Sequence, residues 1–110
     1  MSKIYLVQGD SGPQMKATLT RDDTGSVIDI TGATVTLKVR PVGSETVSFT
    51  TNSITSASSD LQNGIAIFEF SSSNLSVSAG DYEGEIEVTF ASGNIETVYE
   101  TIQIVVREDF

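Results

Sequence analysis

The amino-acid sequence predicts an all-β domain built as an antiparallel β-sandwich of seven to nine short strands. Three observations carry that expectation. Apolar and polar residues alternate with a period of two, most clearly where Tyr82, Ile86, Val88 and Phe90 share one face while Glu83, Glu85, Glu87 and Thr89 share the other. Clusters of turn-forming residues interrupt the chain about every ten residues. No window holds a helical period over three turns, so neither a bundle nor an alternating α/β fold is expected.

Taken in order, Ile4 to Val7 reads as a terminal strand ended by Gly9-Asp10-Ser11-Gly12-Pro13. Met15, Ala17 and Leu19 then alternate with Lys16, Thr18 and Thr20 up to Asp22-Asp23-Thr24-Gly25, where Gly25 supplies the positive φ of a tight reversal. Ile28 and Ile30 resume the pattern, Thr31-Gly32 breaks it, and Val35, Leu37 and Val39 point inward on the clearest central strand of the first half. That strand stops at Pro41, which has no N–H to give to a ladder. Between Val42 and Asp60 the signal weakens, with one strand expected around Val47 and Phe49 and a short one at Ile54. Asn63-Gly64 is a turn signal, and the strand after it, with Ala66, Phe68 and Phe70 on one face and Ile65 and Ile67 on the other, reads as central. Ser71 to Ala79 is a polar connector anchored by Leu75 and Val77, where a single helical turn is possible. Asp81 to Phe90 and Ile95 to Arg107 close the chain as a hairpin. Because Ile102, Ile104 and Val106 would place Glu100 inward, a bulge is expected near Tyr99 and Glu100. Tyr82, following Ala79-Gly80-Asp81 at the start of a late strand, fits a tyrosine corner, and the whole pattern fits a sandwich of the immunoglobulin-like kind.

At 110 residues and 38% hydrophobic composition the chain suits one domain, residues 1–110, with its own core. Its net charge of −9 is uneven: residues 80–110 hold eight carboxylates against Arg107, and the remainder seven against five cations. An acidic domain repels phosphate backbones and anionic headgroups, so nucleic acid and membrane surfaces are poor partners and basic protein surfaces better ones. The apolar run at the N-terminus is too short for a signal peptide, and no stretch approaches membrane-spanning length.

With no His and no Cys, the commonest general base, the commonest transition-metal ligand and the thiol nucleophiles are all missing, and no catalytic, cofactor or metal residue is assigned. Glu83, Glu85 and Glu87 could form a glycosidase pair only with an apolar pocket to raise one pKa; a wet strand face is the better reading. Asp22-Asp23-Thr24-Gly25 lacks the spacing of a calcium loop and reads as a hairpin turn. Gly9-Asp10-Ser11-Gly12 lacks the Lys and helix of a phosphate loop. The 28 Ser and Thr residues offer no nucleophile with an evident base. Phe49, Phe68, Phe70, Tyr82 and Phe90 fall on core positions, which leaves Tyr5, Tyr99 and Phe110 as outward rings, a sparse platform for a glycan.

Two segments, Ile28-Asp29-Ile30-Thr31-Gly32-Ala33-Thr34-Val35-Thr36-Leu37-Lys38-Val39-Arg40 and Gly80-Asp81-Tyr82 leading through Ile86-Glu87-Val88-Thr89-Phe90 to Ser92-Gly93, occur in this order with Asn63-Gly64 and a strand between them. Together they resemble the immunoglobulin-like N-terminal domain of phage baseplate upper proteins and related small virion proteins of tailed phages. The resemblance implies a non-enzymatic virion component, assembled in the host bacterial cytoplasm, that docks onto other virion proteins in several symmetric copies. Larger members continue into a coiled coil or receptor-binding domain, whereas this sequence ends at Phe110, so a free-standing accessory or capsid decoration subunit, on tail or head, is the implied form. A carbohydrate or host-receptor-binding module is the alternative. Edge strands and chain ends add readily to a partner's sheet, so Ile4, Tyr5, Leu6 and Val7, together with Arg107 and Phe110, are the candidate docking residues.

Overall fold

Residues 3–21, 24–98 and 101–109 are described by a computed structural model. Alternating β-branched and aromatic residues place strands at β1 (Lys3–Val7), β2 (Gln14–Thr18), β3 (Thr34–Pro41), β4 (Phe49–Asn52), β5 (Ile65–Glu69), β6 (Gly80–Thr89), β7 (Ile95–Thr97) and β8 (Ile102–Arg107), with one short helix, α1 (Ser58–Gln62). The larger sheet runs β1-β8-β6-β3-β4, with β7 also on β6, and the smaller pairs β2 with β5. This is the strand order of an immunoglobulin-like sandwich: β3, β6 and β8 take the places of strands C, F and G, and β2 and β5 those of B and E.

One core lies between the layers. Val35, Leu37 and Val39 of β3 and Tyr82, Ile86 and Val88 of β6 are buried on one side, Met15, Ala66 and Phe68 on the other. Phe68 and Leu37 are both 0% exposed, and a T-shaped contact between Phe49 and Phe70, with ring centroids 6.2 Å apart, joins the layers at one margin. Phe49 and Phe90 are only partly buried against this core. Gly84 occupies an inward position of β6 where side chains from the flanking strands β3 and β8 close over it: an added Cβ would stand 2.9 Å from Leu37 Cδ1 and 3.3 Å from Ile104 Cδ1.

Tyr82 forms the expected corner, donating its hydroxyl to the Ser78 carbonyl at 2.5 Å and so tying the crossover loop to the start of β6. The hairpin after β2 is also as expected: Arg21 N–H donates to Ser26 O, Thr20 bridges Val27, and Gly25 takes φ +70°. Asp22 and Asp23 lie outside the described residues, as do Tyr99 and Glu100, where the bulge was expected. The pairings flanking that point are out of step: from Glu87↔Thr97 to Gly84↔Ile102, three steps on β6 face five on the opposite arm.

Several expectations are corrected. The sandwich is antiparallel as expected in its other strand pairings, and β1 adds a parallel ladder to β8, with Ile4 beside Ile104 and Leu6 beside Val106. Residues 53–64 hold α1 rather than a strand at Ile54, and Val47 precedes β4 and is exposed. The helix there is one turn long, too short for any period to register in the sequence. Asn63-Gly64 is the expected turn before β5, and it also ends the helix: Asn63 N–H reaches back to Ser59 O, and Gly64 at φ +71° begins the path into β5. β5 is not central, since its sheet has two strands; its second apolar row, Ile65 and Ile67, lies half-buried on the outer face. In the connector 71–79, Leu75 N–H donates to Ser71 O while Ser71 and Asn74 cap one another, which makes a lone turn that buries Leu75.

Candidate interaction surfaces

The outer face of the larger sheet is set by register. On β3 and β6 the outward residues stand opposite one another as Arg40↔Glu83, Lys38↔Glu85 and Thr36↔Glu87. Arg40 Nε meets Glu83 at 2.8 Å directly across, whereas the Lys38 ammonium reaches diagonally to Glu87 at 3.0 Å and leaves Glu85 exposed. The carboxylate row is therefore wet and cation-bridged, as a solvated strand face should be, and each exposed pair stabilises by about 1 kcal/mol or less. A hollow of about 60 Å³ on this face is lined by Lys38, Arg40, Val47, Glu83, Glu85 and Thr101, with two cations beside the two carboxylates.

One end of the same face exposes apolar side chains among charged and polar ones. Register carries a row from Tyr5 on β1 to Val105 on β8 and Asp81 on β6, and Val42 N–H donates to Asp81 O at the row's far end. Tyr5 is 71% exposed and Val42 60% exposed. A groove of about 240 Å³ beside them is lined by Lys3, Val42, Asp81, Gln103 and Val105, and the Lys3 ammonium lies 5.5 Å above the Tyr5 ring.

The candidate docking residues separate by role. Parallel pairing brings Val7 beside Arg107, so two segments a hundred positions apart form one margin of the sheet. Tyr5 presents an exposed ring there, with the Lys3 ammonium over one face, and Arg107 is exposed. Leu6, 7% exposed, packs inward with Ile4 partly buried beside it; neither offers a free side chain. Phe110 lies outside the described residues, and Tyr99 with it.

Strand edges are unequally protected. The side of β5 turned away from β2 is closed by the chain after β4: Thr55 Oγ1 accepts from Ile67 N–H at 2.9 Å and donates to Ile65 O at 3.0 Å, Ile54 N–H donates to Ile67 O, and Thr51 Oγ1 donates to Glu69 O. Side-chain hydroxyls thus do the work of a missing strand. The sequence alone does not single out these threonines, because nothing local distinguishes a hydroxyl that closes an edge. At the open end of the sandwich Arg21 clasps Glu96 with Nε–Oε2 at 3.2 Å and Nη2–Oε1 at 3.3 Å, joining the hairpin of one sheet to β7 of the other. Asp29 accepts from the Thr31 hydroxyl at 2.7 Å and the Thr31 N–H at 3.0 Å, and these bonds hold its carboxyl below the usual range.

Among the described residues no group of three or more acidic, His or Cys side chains is placed to hold a metal ion, and no helix is long and apolar enough to cross a membrane. The fold and these surfaces define an immunoglobulin-like domain whose features are edges and faces. No family model matches the chain, and no curated protein matches it. Among solved structures it is similar to one of murine CRIg, with 11% identity, a TM-score of 0.44, and coverage of 97% of this chain and 93% of that one.

Proposed function

We propose that the protein is a non-catalytic protein–protein interaction module that docks onto a larger assembly through strand margins. The observation that carries this reading is the margin made by β1, where the exposed Tyr5 ring stands on a strand that pairs with β8 on one side and has no neighbour on its other side among the described residues. The resemblance described above supplies the setting: the virion of a tailed phage, with the module attached to tail, baseplate or head in several symmetric copies. The acidic balance of the chain favours a basic docking surface on the partner. A glycan-binding reading draws less support, since only one of the three outward rings lies among the described residues and Lys3 covers its face.

The test is to purify particles of a phage that encodes this chain and image them by electron microscopy. A fixed number of copies at a symmetric site is expected, with occupancy falling in a Tyr5→Ala variant whose melting temperature is unchanged. Particles that lack the protein would refute the virion setting, and full occupancy in the variant would refute the proposed margin.

A further inference from the structure

The edge of the smaller sheet formed by β2 has no neighbouring strand among the described residues. Leu19 N–H donates to Gly64 O at 2.8 Å and Phe70 N–H to Pro13 O at 3.2 Å, so the odd-numbered residues of this segment turn their backbone toward β5. By the alternation of an antiparallel ladder the N–H and C=O groups of Gln14, Lys16 and Thr18 turn the other way. Thr20 follows suit, because its neighbours Leu19 and Arg21 bond across the hairpin to Ile28 and Ser26. Among the described residues no strand lies on that side. The contrast with β5, whose outward groups are met by Thr51, Ile54 and Thr55, shows that one edge of this sheet is closed and the other is not.

We propose that two copies pair through β2, antiparallel, about a two-fold axis at Ala17. Hydrogen bonding and charge favour this register over an axis at Lys16. Only even-numbered residues present outward groups, so even must face even. An axis at Lys16 would set two ammonium-bearing side chains directly opposite, which destabilises a strand pair. An axis at Ala17 sets Lys16 against the second copy's Thr18 and Gln14 against the second copy's Thr20, joining the two small sheets with about eight backbone hydrogen bonds. Ala17 is itself small enough for close approach on the inner side. Charge favours this edge over the others for self-pairing: Lys16 and Glu69 are the charged side chains on β2 and β5, whereas Glu83, Glu85 and Glu87 sit on the opposite layer and Glu108 and Asp109 follow β8, beside β1. An edge pairing of this length falls short of the roughly 1,200 Å² that stable complexes bury. The dimer is accordingly weak, with a Kd of about 0.1 to 1 mM. This pairing does not depend on the virion setting.

The test is sedimentation velocity on the full chain between about 10 μM and about 1 mM. Wild type is expected to pass from monomer to dimer across that range. Thr18→Pro deletes an edge N–H that has no partner in the monomer, and Thr18→Lys sets a lysine against the second copy's Lys16. Both should weaken association at least about tenfold while leaving the low-concentration melting temperature within a few degrees. Because the chain has no cysteine, Ala17→Cys reads the register directly: residues at the axis form a closely spaced pair that oxidation should cross-link. Wild type that stays monomeric at the upper concentration would overturn the proposal, as would undiminished association in Thr18→Lys or failure of Ala17→Cys to cross-link.

Discussion

Gly64 shows how much a single position can demand. Its φ of +71° already disfavours a side chain, and an added Cβ would lie 2.7 Å from Ile28 O and 2.8 Å from Leu19 O, both rigid backbone atoms. Gly64→Ala should cost about 3 kcal/mol by chemical denaturation, and Gly93→Ala, with φ +93° but open space around it, about 1 kcal/mol. Equal losses would mean that the approach of Leu19 and Ile28 is not as described. Phe68→Ala, at a site with 0% exposure, should cost about 3 to 5 kcal/mol. At Asp29 the folded carboxyl titrates below its unfolded value of about 3.8, so its contribution is present above that pH and is lost as pH falls through the folded value. Asp29→Asn should therefore destabilise the protein at neutral pH and bring it level with wild type in strong acid, as thermal melts across that range would report.

At the scale of elements, the strands with one wet face were legible because burial writes itself into a two-residue period. β3 and β6 follow their alternation residue for residue, Val35, Leu37 and Val39 inward against Thr36, Lys38 and Arg40 outward. Tyr82 was legible for a different reason, since a tyrosine just after Gly-Asp at a strand start has a hydroxyl within reach of the preceding loop. The segment 53–64 was not. Its helix is a single turn without a buried residue, and Asn-Gly serves a helix end and a hairpin equally well. Partner choice was also hidden: alternation places side chains on a face, but it cannot say that β1 lies parallel to β8 or that Thr55 stands in for a strand beside β5. Thr55→Val keeps the shape and removes the hydroxyl, leaving Ile67 N–H and Ile65 O unmet; a loss of about 1 to 3 kcal/mol is expected from urea titration. Thr50→Val, on β4, is the control and should change stability by less than about 0.5 kcal/mol.

For the whole molecule, the division of labour between the two layers is the main consequence of the sequence. The larger sheet carries a cation-bridged carboxylate face with an exposed ring, Tyr5, at its margin, and the smaller sheet carries the sparsely charged edge at β2, which has no further strand among the described residues. Both surfaces arise from one feature, an immunoglobulin-like sandwich in which two of its free edges are left unguarded by other strands among the described residues. Packing links the layers into one core, so unfolding should be a single cooperative transition. Amide hydrogen exchange at low protein concentration tests the architecture most directly. The amides of Glu83, Glu85 and Glu87, whose side chains meet water but whose N–H groups face β3, should be among the slowest, while in β2 the amide of Ala17 should be slow and those of Lys16 and Thr18 fast. Rapid exchange across Glu83, Glu85 and Glu87, or uniform protection along β2 in the monomer, would contradict the account.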